Sequence, residues 1–276
     1  GVILLTTKKG DESDDWSFEF NLQTMGREIF VEPNFQNTYG SGGLGFYSYK
    51  SGDVYASRNG IRYYDAYAEN WGPRMDGQNI KQFNSGGEAV PFTPAPDSYT
   101  NFYRTGVLTS NNIAVSNKSE NGDFRLSYTF LDDQSIVPNS DVRRHTVFTS
   151  LGRRYLDDRL KIRANIFNIR NKSDNIPNGG YDESSSVQYG WLWYPRQVGV
   201  NELKPYWKEG QVGSQQLFVE ELYGNNPWFI VNENTNSFQE NRVIGNVKIN
   251  YEFTDKLSVR ARYGVDYKNE SRQFRR

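Results

Sequence analysis

The chain has 276 residues, a formal net charge of −1 and a mean hydropathy of −0.79. Near-neutrality gives no electrostatic reason to expect a nucleic-acid partner. The absence of cysteine excludes disulfide frameworks, thiolate metal sites and cysteine nucleophiles. No apolar run reaches the roughly eighteen residues of a transmembrane helix. A membrane β-barrel stays open, because only alternate strand residues of a barrel need be apolar.

Val2 to Thr7 is a short apolar run that reads as the inside of a strand, so the sequence reads as a piece of something longer. Asp11 to Asp15 is acidic and reads as a solvated linker. It lacks the glycine and terminal glutamate of a calcium loop. Trp16, Phe18, Phe20 and Leu22 then alternate with Ser17, Glu19, Asn21 and Gln23, which predicts a first long strand ending near Met25 and Gly26. From Arg27 to about Tyr103 the alternation dissolves into Gly, Asn, Ser, Pro and Tyr. Within that stretch Ile61 to Trp71 predicts a short helix stopped by Gly72-Pro73.

Ile113 and Val115 resume the alternation between Asn111 and Asn117. Lys118 to Asp123 contains Asn121-Gly122 and predicts a tight hairpin turn. Phe124, Leu126, Tyr128 and Phe130 follow on one face, and Asp132 to Asp141 is a polar link. Val142 to Arg154 predicts a strand with Val147, Thr149 and Leu151 outward. After a turn at Tyr155–Asp158, Leu160, Ile162, Ala164 and Ile166 alternate with Lys161, Arg163 and Asn165. Asn171 to Glu240 is a second long irregular stretch, rich in Trp and Pro. Asn241 to Phe253 and Leu257 to Tyr267 then form the most regular pair, with Asn269 to Arg276 leaving the last strand.

Alternation alone does not say what the apolar faces touch, since a half-buried soluble sheet gives the same pattern. Length says more. Soluble strands usually run about 5–6 residues, whereas Asn241 to Phe253 spans roughly 43 Å at about 3.3 Å per residue. Tilted by about 45°, such a strand crosses the roughly 30 Å hydrocarbon core of a bilayer. The connections also follow a rule. Short turns at Lys118–Asp123, Tyr155–Asp158 and Thr254–Asp255 alternate with longer links at Arg27–Tyr103, Asp132–Asp141 and Asn171–Glu240. All short turns therefore fall at one end and all long loops at the other, as in outer-membrane barrels. The expected fold is all-β, an antiparallel transmembrane barrel portion of about seven strands. The alternative is a soluble or surface-attached β-sandwich that binds glycans or acts as an adhesin through aromatic loops. Arginine at an outward position such as Val259 separates the two, since on a lipid face it should cost about 2–4 kcal/mol near the midplane.

Few motifs carry chemistry. Gly40-Ser41-Gly42-Gly43-Leu44-Gly45 matches a dinucleotide fingerprint literally, but no buried parallel strand precedes it and no helix follows, so it reads as a loop. His145 is the only histidine and lacks partners for a metal site. Asp132-Asp133 and Asp157-Asp158 sit in links, where adjacent carboxylates are ordinary, and no acid/base pair indicates a glycan-cleaving enzyme. Arg125, Lys161, Arg163, Arg260 and Arg262 fall on the inward faces and are expected to pair with inward carboxylates or a plug. Trp191, Trp193 and Tyr194 either stack on a ligand or partner, or pack the loop on itself.

Stretches along nearly the whole chain resemble the SusC-like TonB-dependent outer-membrane receptors of Bacteroidetes. These are Gly1–Gly10 (GVILLTTKKG), Asn70–Gln78 (NWGPRMDGQ), Asn101–Val107 (NFYRTGV), Phe124–Asp141 (FRLSYTFLDDQSIVPNSD) and Asn226–Tyr267, the last being the most specific. The resemblance implies residues 1–10 as the end of a plug domain and 11–276 as the N-terminal portion of a barrel of about 22 strands. It implies import of oligosaccharides or peptides, TonB as the driving partner through a segment outside this sequence, and a SusD-like lipoprotein as lid. No cofactor and no metal is implied. Trp71, Arg74 and Asp76 in the first loop, with Trp191, Trp193 and Tyr194 in the second, are the candidate contacts for substrate or partner.

Overall fold

A computed structural model describes residues 15–48, 54–58, 61–64, 69–182, 186–219 and 224–276. Seven long strands form one antiparallel sheet in strict sequence order. They are β1 (Ser17–Arg27), β2 (Gly106–Ser119), β3 (Gly122–Gln134), β4 (Asp141–Tyr155), β5 (Leu160–Asn175), β6 (Asn236–Thr254) and β7 (Leu257–Phe274). β6 has 19 residues and β7 has 18, about three times an ordinary soluble strand.

The register aligns the apolar residues into continuous rows. One row runs Phe18–Val115–Leu126–Thr149–Ile166–Gly245–Val265 across all seven strands. The next runs Phe20–Ile113–Tyr128–Val147–Asn168–Val243–Tyr267. This face is uncovered: Phe18 is 75% exposed, Tyr263 74%, and Leu151, Val247 and Ile249 are also exposed. Soluble monomers rarely leave a contiguous apolar patch of more than a few hundred Å² open. Nor, among the described residues, does a second sheet face this one, as a sandwich would require. Lipid is the solvent that fits the face.

The opposite face is polar and cross-linked by ion pairs. Arg125 on β3 makes a two-pronged contact with Glu19 on β1, at 2.8 and 2.9 Å, reaching over β2. Arg163 on β5 holds Asp123 on β3 in the same way, reaching over β4. Beneath that pair lies Gly152, where an added Cβ would come within 2.5 Å of both partners. The glycine is there because the ion pair passes directly above it. Lys161 pairs with Glu252 at 3.1 Å. The expected inward pairing thus holds for Arg125, Lys161 and Arg163. Among the described residues it does not extend to Arg260 or Arg262.

Three two-residue or four-residue turns lie at one end of the wall. The first joins Ser119 to Gly122, and the third joins Thr254 to Leu257 with the Thr254 hydroxyl accepting from the Leu257 amide at 3.1 Å. The first turn departs from the expected Asn-Gly form. Gly122 is already the first strand residue, its φ is not positive, and it is glycine because a Cβ would meet the Gly152 carbonyl at 2.3 Å. In the β4–β5 turn Leu156, Asp157 and Asp158 all take positive φ, which aspartate tolerates and leucine does not favour.

Several strand ends differ from the sequence reading. Asn269 to Phe274 does not leave the last strand but pairs with Asn236–Asn241. β5 likewise runs on to Asn175, well into the stretch expected to be irregular. The predicted helix over Ile61–Trp71 is overturned for its first four residues: Ile61–Tyr64 pairs antiparallel with Val54–Arg58, as its β-branched and aromatic residues favour. Residues 65–68 and the stretch 1–14 lie outside the described residues.

Val259 sits two residues from the β6–β7 turn, near the edge of the band, whereas Val265 lies in its middle row. Val265→Arg should therefore destabilise the protein in lipid by about 2–4 kcal/mol and Val259→Arg by distinctly less. Denaturant titration in bilayers measures the difference, and equal, near-zero costs would contradict a lipid-facing band.

Candidate functional site

The hydrophobic core is not in the sheet. It lies in the two long loops at the other end, residues 28–105 and 176–235, and joins Tyr99, Phe102, Trp191, Tyr194, Val198, Leu203, Ile230 and Val231. Three short helices frame it: α1 (Ser98–Phe102), α2 (Val187–Trp193) and α3 (Pro227–Asn232). The Ser186 hydroxyl caps α2 by accepting from the Tyr189 amide at 3.2 Å. Asn226 caps α3 by accepting from the Trp228 amide at 2.8 Å, with Pro227 at the first helical position. The fully buried Asn226 amide also donates to the Leu203 and Leu217 carbonyls. Phe102 packs edge-on against Trp228 at 4.9 Å between centroids.

A set of ties holds the first loop to the second through Tyr194–Val198. The Asn70 carbonyl oxygen accepts from the Arg196 amide at 2.7 Å, and its NH2 donates to the Tyr194 carbonyl at 3.3 Å. The Arg196 guanidinium donates to Asn37 and to the Pro96 carbonyl and stacks over Phe35 at 4.5 Å. Gln197 accepts from the Ser41 amide at 3.0 Å. Burial lowers the Arg196 pKa, and the nearby Glu32 and Asp97 charges oppose that shift. Burial raises the Tyr194 hydroxyl far above its ordinary range, and this hydroxyl donates to the Asn225 carbonyl at 2.6 Å. Tyr103 is raised by burial and by its neighbour Tyr99.

Asn70–Gln78 closes onto Thr38–Gly45 through the backbone. The Trp71 amide donates to the Gly42 carbonyl at 3.1 Å, and the Met75 amide donates to the Thr38 carbonyl at 2.9 Å. Gly72 has no room for a side chain, since a Cβ would sit 2.0 Å from the Ser41 carbonyl. This clip pushes the Trp71 ring outward, where it is 72% exposed.

Trp71 and Trp193 line one open cleft of about 660 Å³, with Tyr39, Leu44 and Leu192 supplying further apolar surface and Gln36, Glu69 and Asn70 polar edges. The structure thus brings together two of the six predicted contact residues. Trp191 and Tyr194 are core residues instead, at 1% and 6% exposure. Arg74 and Asp76 are exposed outside the cleft lining. The Gln36 and Asn70 side chains are committed to loop bonds, so the cleft offers mainly aromatic faces and one carboxylate. Sequence reading missed Tyr39, Leu44 and Leu192, as well as the ties made by Asn70, Arg196 and Gln197. The carboxylate pairs serve structure: Asp132 contacts Arg143, Asp133 contacts Arg27, and Asp157-Asp158 shape a turn. His145 accepts from or donates to the Tyr128 hydroxyl at 2.8 Å on the outer face. Gly42 and Gly43 of the glycine-rich stretch form a two-residue strand, and among the described residues the next element is another strand rather than a helix.

Trp191→Ala should cost about 3–5 kcal/mol, the usual loss for a buried aromatic, while Trp193→Ala should cost under about 0.5 kcal/mol. Limited proteolysis of the 176–235 loop under denaturant separates the two. Equal losses would contradict the assignment of core and cleft.

No family model matches the chain. Among curated proteins it is similar to the TonB-dependent receptor SusC of Bacteroides thetaiotaomicron, 26% identical over 284 residues, covering 97% of this chain and 24% of that protein. It is also similar to the TonB-dependent receptor P3 of Formosa agariphila, 20% identical over 276 residues and covering 22% of it. The chain therefore spans about a quarter of the length of these relatives. Solved structures of the RagAB peptide importer, in its open-open and closed-closed states, match its fold with a TM-score of 0.61 at 17% identity, over 96% of this chain and 29% of theirs. Over nearly its whole length the chain is thus similar to SusC-like TonB-dependent receptors, and it folds as a stretch of barrel wall with its long loops at one end.

Proposed function

We propose that the chain forms part of a TonB-dependent importer that carries oligomeric nutrients, oligosaccharides or peptides, across the outer membrane. The observation that carries this reading is the pairing of a lipid-facing wall with a packed loop body that presents an aromatic cleft at the long-loop end. Long barrel loops face the cell exterior, so the cleft opens where nutrients arrive. Flat indole and phenol faces suit the apolar face of a sugar ring or the side chains of a peptide. The SusC and RagAB names support the nutrient reading, one naming a TonB-dependent receptor and the other a peptide importer. A SusD-like surface lipoprotein over the same loop face and TonB on the opposite side complete the assembly. Nutrient capture here is transport rather than catalysis. The plug assignment of residues 1–10 and the barrel assignment of 11–276 belong to this proposal.

Replacing both Trp71 and Trp193 by Ala in the full receptor should lower substrate affinity by about tenfold or more, since base or ring stacking on an aromatic is worth on the order of 1–3 kcal/mol. Surface abundance of the receptor should be unchanged, because both rings are exposed. Uptake of labelled oligosaccharide and of labelled peptide, with pull-down of the lipoprotein, measures this. Normal uptake together with normal lipoprotein binding would refute a role for the cleft.

A further inference from the structure

The lipid-facing side carries a block of cationic side chains at one edge of its apolar band. His145 on β4 and Arg170 on β5 are direct cross-strand neighbours, and so are Arg143 and Lys172 in the next outward row towards the long loops. All four share the face of Val147 and are exposed. Neighbouring positions in such a block have Cβ atoms about 5–8 Å apart, so four long side chains can converge on one group. Like charges directly opposite one another on a sheet are destabilising. The wall supplies carboxylates on one side only. Arg143 contacts Asp132 at 3.5 Å and Asp141 at 3.4 Å, and Lys172 contacts Asp174 at 2.9 Å. Asp132 lies level with Arg143, while Asp141 and Asp174 lie farther towards the loops. Arg170, the arginine nearest the apolar band, forms no ion pair among the described residues.

The order of groups across this edge matches a layered solvent. From the band towards the loops, the outward rows run Tyr128–Val147–Asn168–Val243, then Phe130–His145–Arg170–Asn241, then Asp132–Arg143–Lys172–Gln239. Apolar groups come first, an arginine and an imidazole second, and mixed charges last. In a bilayer the acyl chains, the phosphates and water follow in the same order, and Lys and Arg side chains reach for the phosphate layer. Aromatic rings stand at this level too. The Tyr128 hydroxyl lies 2.8 Å from His145 Nδ1, and the Phe130 ring lies 5.0 Å from the imidazole, a placement favoured at a membrane interface. With Nδ1 engaged, Nε2 is the ring nitrogen left to bond a ligand. We propose that Arg143, His145, Arg170 and Lys172 form a site for the phosphate headgroup of a membrane lipid, in the leaflet at the long-loop end. Arg170 is its centre, because a guanidinium offers phosphate oxygens a planar two-pronged contact. Arg143 and Lys172 add charge from the row above, and His145 adds a bond from the side. The bound phosphate supplies the counter-charge that the wall does not place beside Arg170. It also pins this stretch of wall at a fixed depth in the bilayer.

The test uses the full-length receptor in mild detergent, with thermal unfolding as the readout, since a ligand that binds only the folded state raises the midpoint. Lipid A, a phosphorylated glycolipid, should stabilise the wild-type receptor, and its dephosphorylated form should do so much less. Inorganic phosphate at the same concentration should neither reproduce the gain nor compete with lipid A. Arg170→Gln with Lys172→Gln should weaken the apparent affinity for lipid A at least tenfold. Arg260→Gln with Arg262→Gln removes the same charge from the inward face and should leave that affinity unchanged. Equal stabilisation by the two lipids, full competition by inorganic phosphate, or equal losses in the outward and inward double variants would overturn the proposal. The wild-type comparison of the two lipids decides the matter even where the outward variant fails to reach the membrane. Failure of the lipid-facing band itself shows separately, as an unchanged stability of Val265→Arg.

Discussion

The governing constraint is the uncovered apolar face of the seven-stranded wall. The ladder satisfies the strand backbone, and ion pairs such as Arg125–Glu19 and Arg163–Asp123 stitch the inward face across alternate strands. Neither device covers Phe18, Ile113, Leu151, Val247, Ile249 or Tyr263. In water those rows would drive association; in a bilayer they are solvated. A closed barrel is also the one β-architecture that leaves no lipid-exposed edge. Strand length, alternation of turn and loop lengths, and the polar inward face all follow from that placement.

Because the wall has no dry interior of its own, the hydrophobic core moves to the loops. Phe102, Trp191, Leu203, Ile230 and Val231 bury one another at the long-loop end, and capped helices with committed side chains make that body specific. The Asn70–Arg196 and Ser41–Gln197 bonds lock loop to loop. Rigidity there gives the cleft its shape: Trp71 is displaced outward by a backbone clip and Trp193 by the pitch of α2. Loops of this length are ordinarily suspect in a compact domain; here they are the compact domain, and the strands are its support.

The lipid-facing rows were legible in the sequence because each alternates cleanly over many residues, as in Val243 to Phe253. Strand ends were not. Beyond the apolar band, residues such as Lys172, Ser173, Gln239 and Glu240 are polar on both faces, yet the ladder continues through them. Periodicity vanishes where the strand rises into water, while hydrogen bonding does not. The loop aromatics were legible as a set but not by role. Trp191 and Trp193 are two residues apart on a helix, about 200° around its axis, so one faces the core and the other the cleft. Without the helix, which rests on the Ser186 cap, nothing in the local sequence separates them. The Ile61–Tyr64 hairpin strand shows the reverse error, in which Ala66, Ala68 and Glu69 favoured helix while the preceding residues favoured pairing.

The most direct test of the account is a single-cysteine spin-label scan of β7 from Leu257 to Tyr267 in bilayers. Lipid-soluble oxygen and a water-soluble nickel chelate serve as competing relaxants. The account requires a period of two: oxygen collisions dominating at Leu257, Val259, Ala261, Tyr263, Val265 and Tyr267, and chelate collisions at Ser258, Arg260, Arg262, Gly264 and Asp266. Oxygen accessibility should peak in the middle of the strand. A flat profile, or chelate access on both faces, would contradict a membrane-spanning wall.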